Sequence, residues 1–351
     1  MPDPRTTEAD APTVAAEPPR PAAPPPAWRR VLARLLRVAE SRLFKLGFLL
    51  AMVALGVYTV VHQWAEFKSG LDQLGVMAAV EALACVVLAM LLTMQVWRSL
   101  LAAAGSRLSV TAAARIFFIG QLGKYVPGSV WPVLTQMELG RAYRVPRQRS
   151  ATVAMLSMMI GLTSGLLATL IGLPFMARDS AHAYWWVFLF IPVLLVCLHP
   201  RVLNPVIARG LRMLGKPAPE SPLGARAIAQ AIVLNLGVWF AFGLQIWVMT
   251  ARLGVHGGDT LLACVGAYSL AWCVGFVVVL APAGAGAREF ILIATLTPMV
   301  HAGPATAIAL VSRGVTMLTD LGGAGIAALL RHGAPVPPPA GTDDAQDAPA
   351  D

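Results

Sequence analysis

The feature that most limits this chain is a succession of apolar runs, each near or above twenty residues. The first long one covers Leu46–Trp64. An apolar run of that length matches the thickness of a bilayer's hydrocarbon core when helical. In hydrocarbon every backbone N–H and C=O must be satisfied within the segment, which leaves a helix for runs of this kind. The runs continue at Leu74–Trp97, Ala151–Met176, Ala183–Leu198, Ala227–Thr250, Leu261–Leu280 and Ala305–Leu330, with a half-length one at Glu289–Val300. The chain is 57% hydrophobic and only 13% charged, against about 25% charged in soluble domains. The expected fold is all-α: a polytopic transmembrane helix bundle of about eight spans, with one or two broken or re-entrant segments.

Four regions are expected. Residues 1–27 are rich in Pro, Ala and acidic residues and read as a disordered tail. They are no signal peptide, since the start is not basic and the first apolar run begins late. In residues 28–43, Trp28, Val31, Leu32, Leu35, Leu36, Ala39 and Leu43 recur at helical spacing among five arginines. That pattern fits an amphipathic juxtamembrane helix on an anionic surface, or a plain basic flank. Residues 44–331 form the transmembrane domain, and residues 332–351 a second, acidic, disordered tail.

The basic residues set the orientation. Segments 28–45, 98–149 and 199–226 carry six, eight and five Lys or Arg, whereas 62–74, 177–182 and 251–260 carry one each. The excess marks the cytoplasmic side and puts the N-terminus there, in a multi-pass protein of the cytoplasmic membrane. The formal charge of +9 is explained by this topology rather than by nucleic acid. If the half-length segment crosses, the C-terminus is also inside. If it re-enters, the C-terminus faces out. Cys85, Cys197, Cys264 and Cys273 lie in apolar runs without metal spacing and read as small helix residues. Gly161 and Gly165 form a GxxxG, serving either dimerisation or internal packing, and Gly322, Gly323 and Gly325 read the same way.

Two stretches break the pattern. "TAAARIFFIGQLGKYVPGSVWPVL" is too long for a turn, and neither half of it spans a bilayer. Ala112–Leu122 and Ser129–Leu139 are expected as short helices around a break at Gly123–Gly128, with Pro132 in a first helical turn. "VLAPAGAGAREFIL" ends the sixth span at Pro282, and its small residues allow close backbone approach before a short helix. Irregular backbone at membrane depth is tolerated only when buried in protein or lining a wet cavity. Paired breaks of this kind point to a transporter's site, and a half-helix N-terminus suits an anion. The competing reading is two cytoplasmic loops with ordinary turn glycines.

Charges inside spans are costly and therefore informative. Glu81 lies in the second span, where a structural partner for an Arg is an equal reading. Arg313 and Asp320 lie in the last, seven apart and so on one face. His301 sits at an outer boundary. Arg115, Lys124, Glu138 and Arg141 ring the first break, and Arg288 and Glu289 sit at the second. Lys124, Arg288, Glu289, Arg313 and Asp320 are expected around one polar cavity. The alternative is a set of local salt bridges. No HExxH, GxSxG, CxxC or phosphate-loop motif occurs, so neither enzyme activity nor a cofactor is expected.

The first stretch, "GQLGKYVPGSVWPVL", resembles the first motif of the membrane domain of lysylphosphatidylglycerol synthases, a flippase-like family. "APAGAGARE" resembles its second motif, PGGxGxRE, with Ala283 in place of the first glycine. "ALVSRGVTMLTDLGGAGIAAL" is similar to its arginine-bearing final helix. The resemblance covers residues 40–331. It places Gly123, Lys124, Tyr125, Pro127 and Gly128 in the first motif, Pro282, Gly284, Gly286, Arg288 and Glu289 in the second, and Arg313 in the last helix. It implies lipid-facing cavities, with anionic membrane lipids as partners. The synthase domain of two-part members is not expected here, and neither is aminoacyl-lipid synthesis. The expectation is a flippase for an anionic lipid or a polyprenyl-phosphate-linked glycan, with Lys124, Tyr125, Arg288, Glu289, Arg313 and Asp320 at the lipid. The competing classes are a membrane scaffold for a glycosyltransferase or lipid-modifying enzyme and a small-solute transporter. The Ala, Gly, Pro and Arg content fits a GC-rich bacterial genome.

Overall fold

A computed structural model describes residues 64–125, 131–176, 224–277, 284 and 286–329, with isolated positions between 192 and 209. The two tails, the expected amphipathic segment 28–43, nearly all of the first and fourth spans, Cys197, Pro127, Gly128 and Pro282 lie outside the described residues. Regular structure among the described residues is helical throughout. The helices are α1 (Trp64–Ala103), α2 (Val110–Gln121), α3 (Trp131–Arg141), α4 (Arg147–Met176), α5 (Ala225–Arg252), α6 (Gly258–Val277), α7 (Ala287–Val300) and α8 (Ala302–Leu329). A 3-10 turn, Leu122–Tyr125, follows α2 directly.

Among the described residues, four helical stretches are long and apolar enough to cross a membrane: Asp72–Ala103 within α1, α4, α5 and Gly258–Phe276 within α6. α1 departs from helical geometry at Gly75 (φ 65°, ψ 167°), so a kink near the start of this span separates the helix's first residues from the rest. α8 is a 28-residue helix, about 42 Å at 1.5 Å per residue. Arg313 and Asp320 lower its hydropathy, and both point inward, with side chains 17% and 0% exposed.

The helices approach closely because small residues face one another. A Cβ on Gly172 of α4 would lie 2.5 Å from Gly266 Cα of α6, and one on Gly243 of α5 would lie 2.5 Å from Val265 Cα. Membrane helices associate through such contacts, since burial of apolar surface supplies little drive inside lipid. Gly161 and Gly165 serve internal packing: they face Trp272, and Cys273 with Trp239, respectively. Gly323 packs on Phe118, whereas a Cβ on Gly322 or Gly325 would meet nothing within 4 Å. Ser164 Oγ accepts from Asn235 Nδ2 at 2.7 Å and Trp239 Nε1 at 3.0 Å, which ties α4 to α5.

Helix directions follow from the contacts. Arg252 at the end of α5 pairs with Glu81 near the start of the α1 span, the structural role weighed for Glu81. Gly284 meets Gly275 late in α6, and Arg288 bonds Tyr268 two turns earlier in α6. α7 therefore runs back along α6. Its end joins α8 through His301 alone, in a left-handed conformation (φ 65°). Glu289 and Arg313, which pair, are equidistant from His301 along the chain, as an antiparallel hairpin requires. Arg115 Nη1 donates to Ala328 O at 3.2 Å, so α8 ends beside α2. The half-length segment thus lies antiparallel to both α6 and α8, and α8 returns to the end bearing Arg107, Arg141, Arg144 and Arg147, all exposed.

Candidate functional site

The first break is built on α2. Ser109 caps it, its hydroxyl accepting from Ala112 N at 3.2 Å, and satisfies a backbone donor that a helix start leaves open. The helix tightens into Leu122–Tyr125 and the chain returns at Trp131, with Pro132 in the first turn of α3 as expected. A Cβ on Gly123 would sit 2.7 Å from Pro132 N and 2.8 Å from Trp131 C. One on Gly120 would sit 2.6 Å from Gln136 Cγ. α2 and α3 can cross only where these side chains are missing. The tight turn that follows α2 carries Lys124 and Tyr125.

The second break folds backbone against backbone. Gly284 (φ 67°) places its Cα against Gly275, where a Cβ would lie 2.9 Å from Gly275 O. Gly286 (φ 80°) leads into α7, and its N–H donates to Glu289 Oε2 at 2.5 Å. The Glu289 carboxylate thereby caps α7 from within, which favours a negative charge at a helix N-terminus. Arg288 is buried, its guanidinium 4.6 Å from the Tyr268 ring centroid and hydrogen-bonded to the Tyr268 hydroxyl.

α8 joins the two breaks crosswise. Asp320 Oδ2 lies 2.7 Å from Lys124 Nζ and accepts from Tyr125 Oη at 2.6 Å. Two turns away on the same helical face, Arg313 Nη1 lies 3.6 Å from Glu289 Oε1. The Tyr125 ring stands between the cations, 5.5 Å from Lys124 Nζ and 6.0 Å from the Arg313 guanidinium carbon. Both atoms contacting Asp320 use one oxygen, and the other, Oδ1, is buried without a hydrogen-bond partner.

These groups border a cavity of about 300 Å³. Lys124, Tyr125, Arg288 and Arg313 line it, while Glu289 and Asp320 are each held against one of its cations. Gly123, Gly284 and Gly286 shape the backbone that carries these side chains. Trp97, Gln136, Asn235, Tyr268 and Trp272 also line the cavity and were not expected from sequence. The available signal was polar or aromatic residues within apolar runs. Asn235, Gln136 and Tyr268 fit it, but so do many residues that pack elsewhere.

The remaining charges near the first break form local pairs instead. Glu138 accepts from Arg147 at 2.7 Å and from Arg141 at 2.9 Å on the exposed side of α3. Those guanidiniums, Arg147 first, hold its carboxyl below the usual carboxylate range. Arg115 reaches the end of α8 rather than the cavity. Among the described residues no group of three or more His, Cys, Asp or Glu is placed to hold a metal ion.

Together the breaks and α8 bring three cations to a pocket whose walls are otherwise largely apolar and aromatic, inside the helix bundle. Such a pocket can hold an anionic group by charge-assisted hydrogen bonds. No curated protein and no solved structure matches the chain. Residues 43–322, which include both breaks and α8 through Asp320, match the family described as the lysylphosphatidylglycerol synthase TM region. The chain is therefore an integral membrane protein belonging to that family.

Proposed function

We propose that this protein passes an anionic lipid, a phospholipid or a polyprenyl-phosphate-linked glycan, between the leaflets of the bacterial cytoplasmic membrane. The observation that carries the reading is Lys124, Arg288 and Arg313 lining one cavity inside the bundle. Ionised groups at membrane depth are expensive and mark substrate paths. A headgroup moving through a polar groove leaves its tails in hydrocarbon, so the protein has to shelter only the charge. The role is transport without catalysis, with the N-terminus in the cytoplasm, and a lipid gradient or ion gradient supplies the direction.

The test is a proteoliposome assay with fluorescent phosphatidylglycerol and a membrane-impermeant quencher. Lys124→Ala lowers the rate of leaflet exchange by at least about tenfold, the scale of one lost charge-assisted contact, with unchanged yield of folded protein. Exchange at the wild-type rate would remove Lys124 from the path. A second reading, a scaffold for a glycosyltransferase or lipid-modifying enzyme, draws on the exposed Arg107, Arg141, Arg144 and Arg147 at one end of the bundle. It predicts no protein-dependent exchange in either chain.

A further inference from the structure

We infer that the cavity takes a ligand group with one negative charge, a phosphodiester, and that Asp320 sets this limit. The inference rests on the lipid-binding reading above and narrows its substrate class. It excludes phosphomonoesters and pyrophosphates, which carry two or more charges.

Charge must balance in this confined space. Among the described residues the site gathers three cations, Lys124, Arg288 and Arg313, and two carboxylates, Glu289 and Asp320. The surplus is one positive charge. The segments of both breaks outside the described residues, 126–130 and 278–283, contain no charged residue in the sequence, so they leave the balance unchanged. Neither carboxylate is free to leave. Glu289 is bound to the N-terminus of its own helix through Gly286 N–H. Asp320 has no solvent exposure and sits mid-helix, held by Lys124 and Tyr125. An uncompensated charge in such surroundings is strongly disfavoured. One phosphodiester neutralises the surplus, whereas a doubly charged phosphate leaves one negative charge unmatched.

Asp320 is also placed to compete with the ligand. Lys124 is the partly accessible member of its pair, 24% exposed against 0% for Asp320. A phosphate oxygen arriving from the cavity meets an ammonium whose other side is already occupied by a carboxylate. Asp320 therefore weakens the hold on any anion, and weakens it most for the more highly charged one.

The experiment is native mass spectrometry of the full chain in detergent with short-chain lipids at about pH 8, above the second phosphate ionisation near about pH 6. The probes are phosphatidylglycerol, with one charge, phosphatidic acid, with two, and phosphatidylcholine as the neutral reference. Wild type retains phosphatidylglycerol over phosphatidic acid by about tenfold. Asp320→Asn keeps the shape, raises the surplus to two, and reverses or abolishes that preference while strengthening both anionic lipids. Should Asp320→Asn not fold, Arg313→Gln removes the surplus and brings both anionic lipids to the level of phosphatidylcholine. Equal retention of the two anionic lipids by wild type, lost in Lys124→Ala, would overturn the charge limit and leave the lipid site standing. An unchanged preference in Asp320→Asn would overturn it too. No retention above phosphatidylcholine in any chain would bring down both this inference and the function it rests on.

Discussion

The two breaks solve one problem in different ways. Each must turn the chain inside a helix bundle and deliver ionisable side chains to the same place. Among its described residues the first has no positive φ and gains room where side chains are missing, with Gly120 and Gly123 letting α3 lie on α2. The second needs positive φ at Gly284 and Gly286 as well as clearance against Gly275. Their charges are also opposite in use. The first presents a cation, Lys124, to the anion of α8, and the second presents an anion, Glu289, to the cation of α8. α8 thus carries one charge of each sign, two turns apart, one for each break. The first break depends on a helix distant in sequence, whereas the second is held by its own cap and by the helix that follows α7.

The glycines separate the two breaks most sharply. Gly284→Ala meets both a backbone collision and a left-handed φ, and loses about 4 kcal/mol. Gly123→Ala meets the collision alone and loses about 2 kcal/mol. Thermal unfolding in detergent should rank them in that order; a milder effect at Gly284 would mean the second break relaxes more easily than its geometry implies.

Ion pairs give a smaller contrast. Asp320→Ala leaves Lys124 facing the cavity without its counter-charge and costs about 3 kcal/mol, the lower end for a broken buried pair because Lys124 is partly accessible. Glu81→Ala breaks a pair whose side chains are 38% and 43% exposed and costs less than about 1 kcal/mol. Equal melting losses would show that α8 is no more dependent on its charge than the outer rim of the bundle.

The smallest effect belongs to Glu138, at the exposed junction of α3 and α4. Its folded carboxyl is held below its ordinary value by Arg147 and Arg141. The pair therefore contributes above the unfolded value, about 4.3, and its contribution fades as the pH falls through the lower folded value. Glu138→Gln should leave the melting temperature at neutral pH unchanged within error and flatten any acid-side decline. A marked loss at neutral pH would place Glu138 in the site after all.

Much of the fold was legible in the chain. Span ends read from hydropathy fall within a few residues of α4, α5, α6 and α8, because apolar length and helix length are the same constraint in a bilayer. The half-helix α7 and the pair of short helices around the first break were legible for the same reason: Gly and Pro in an apolar segment have few other uses. The cavity cations were also legible, since Lys124, Arg288 and Arg313 stand where charge is expensive. Tyr268, Trp97 and Asn235 were not. A tyrosine, tryptophan or asparagine in an apolar run carries no mark of which neighbour it will face.

What the sequence alone determined is the set of helices, where they break, and which residues must find partners or be lost to desolvation. Those follow from local composition and from the cost of polar groups in hydrocarbon. Only the tertiary structure decided the pairing: Lys124 with Asp320, Arg313 with Glu289, Arg288 with Tyr268, and Glu81 set apart with Arg252. Any of these cations would satisfy any of these carboxylates in isolation. The choice rests on where α6, α7 and α8 can approach, which depends on glycines and rings separated by tens of residues and brought together only by packing.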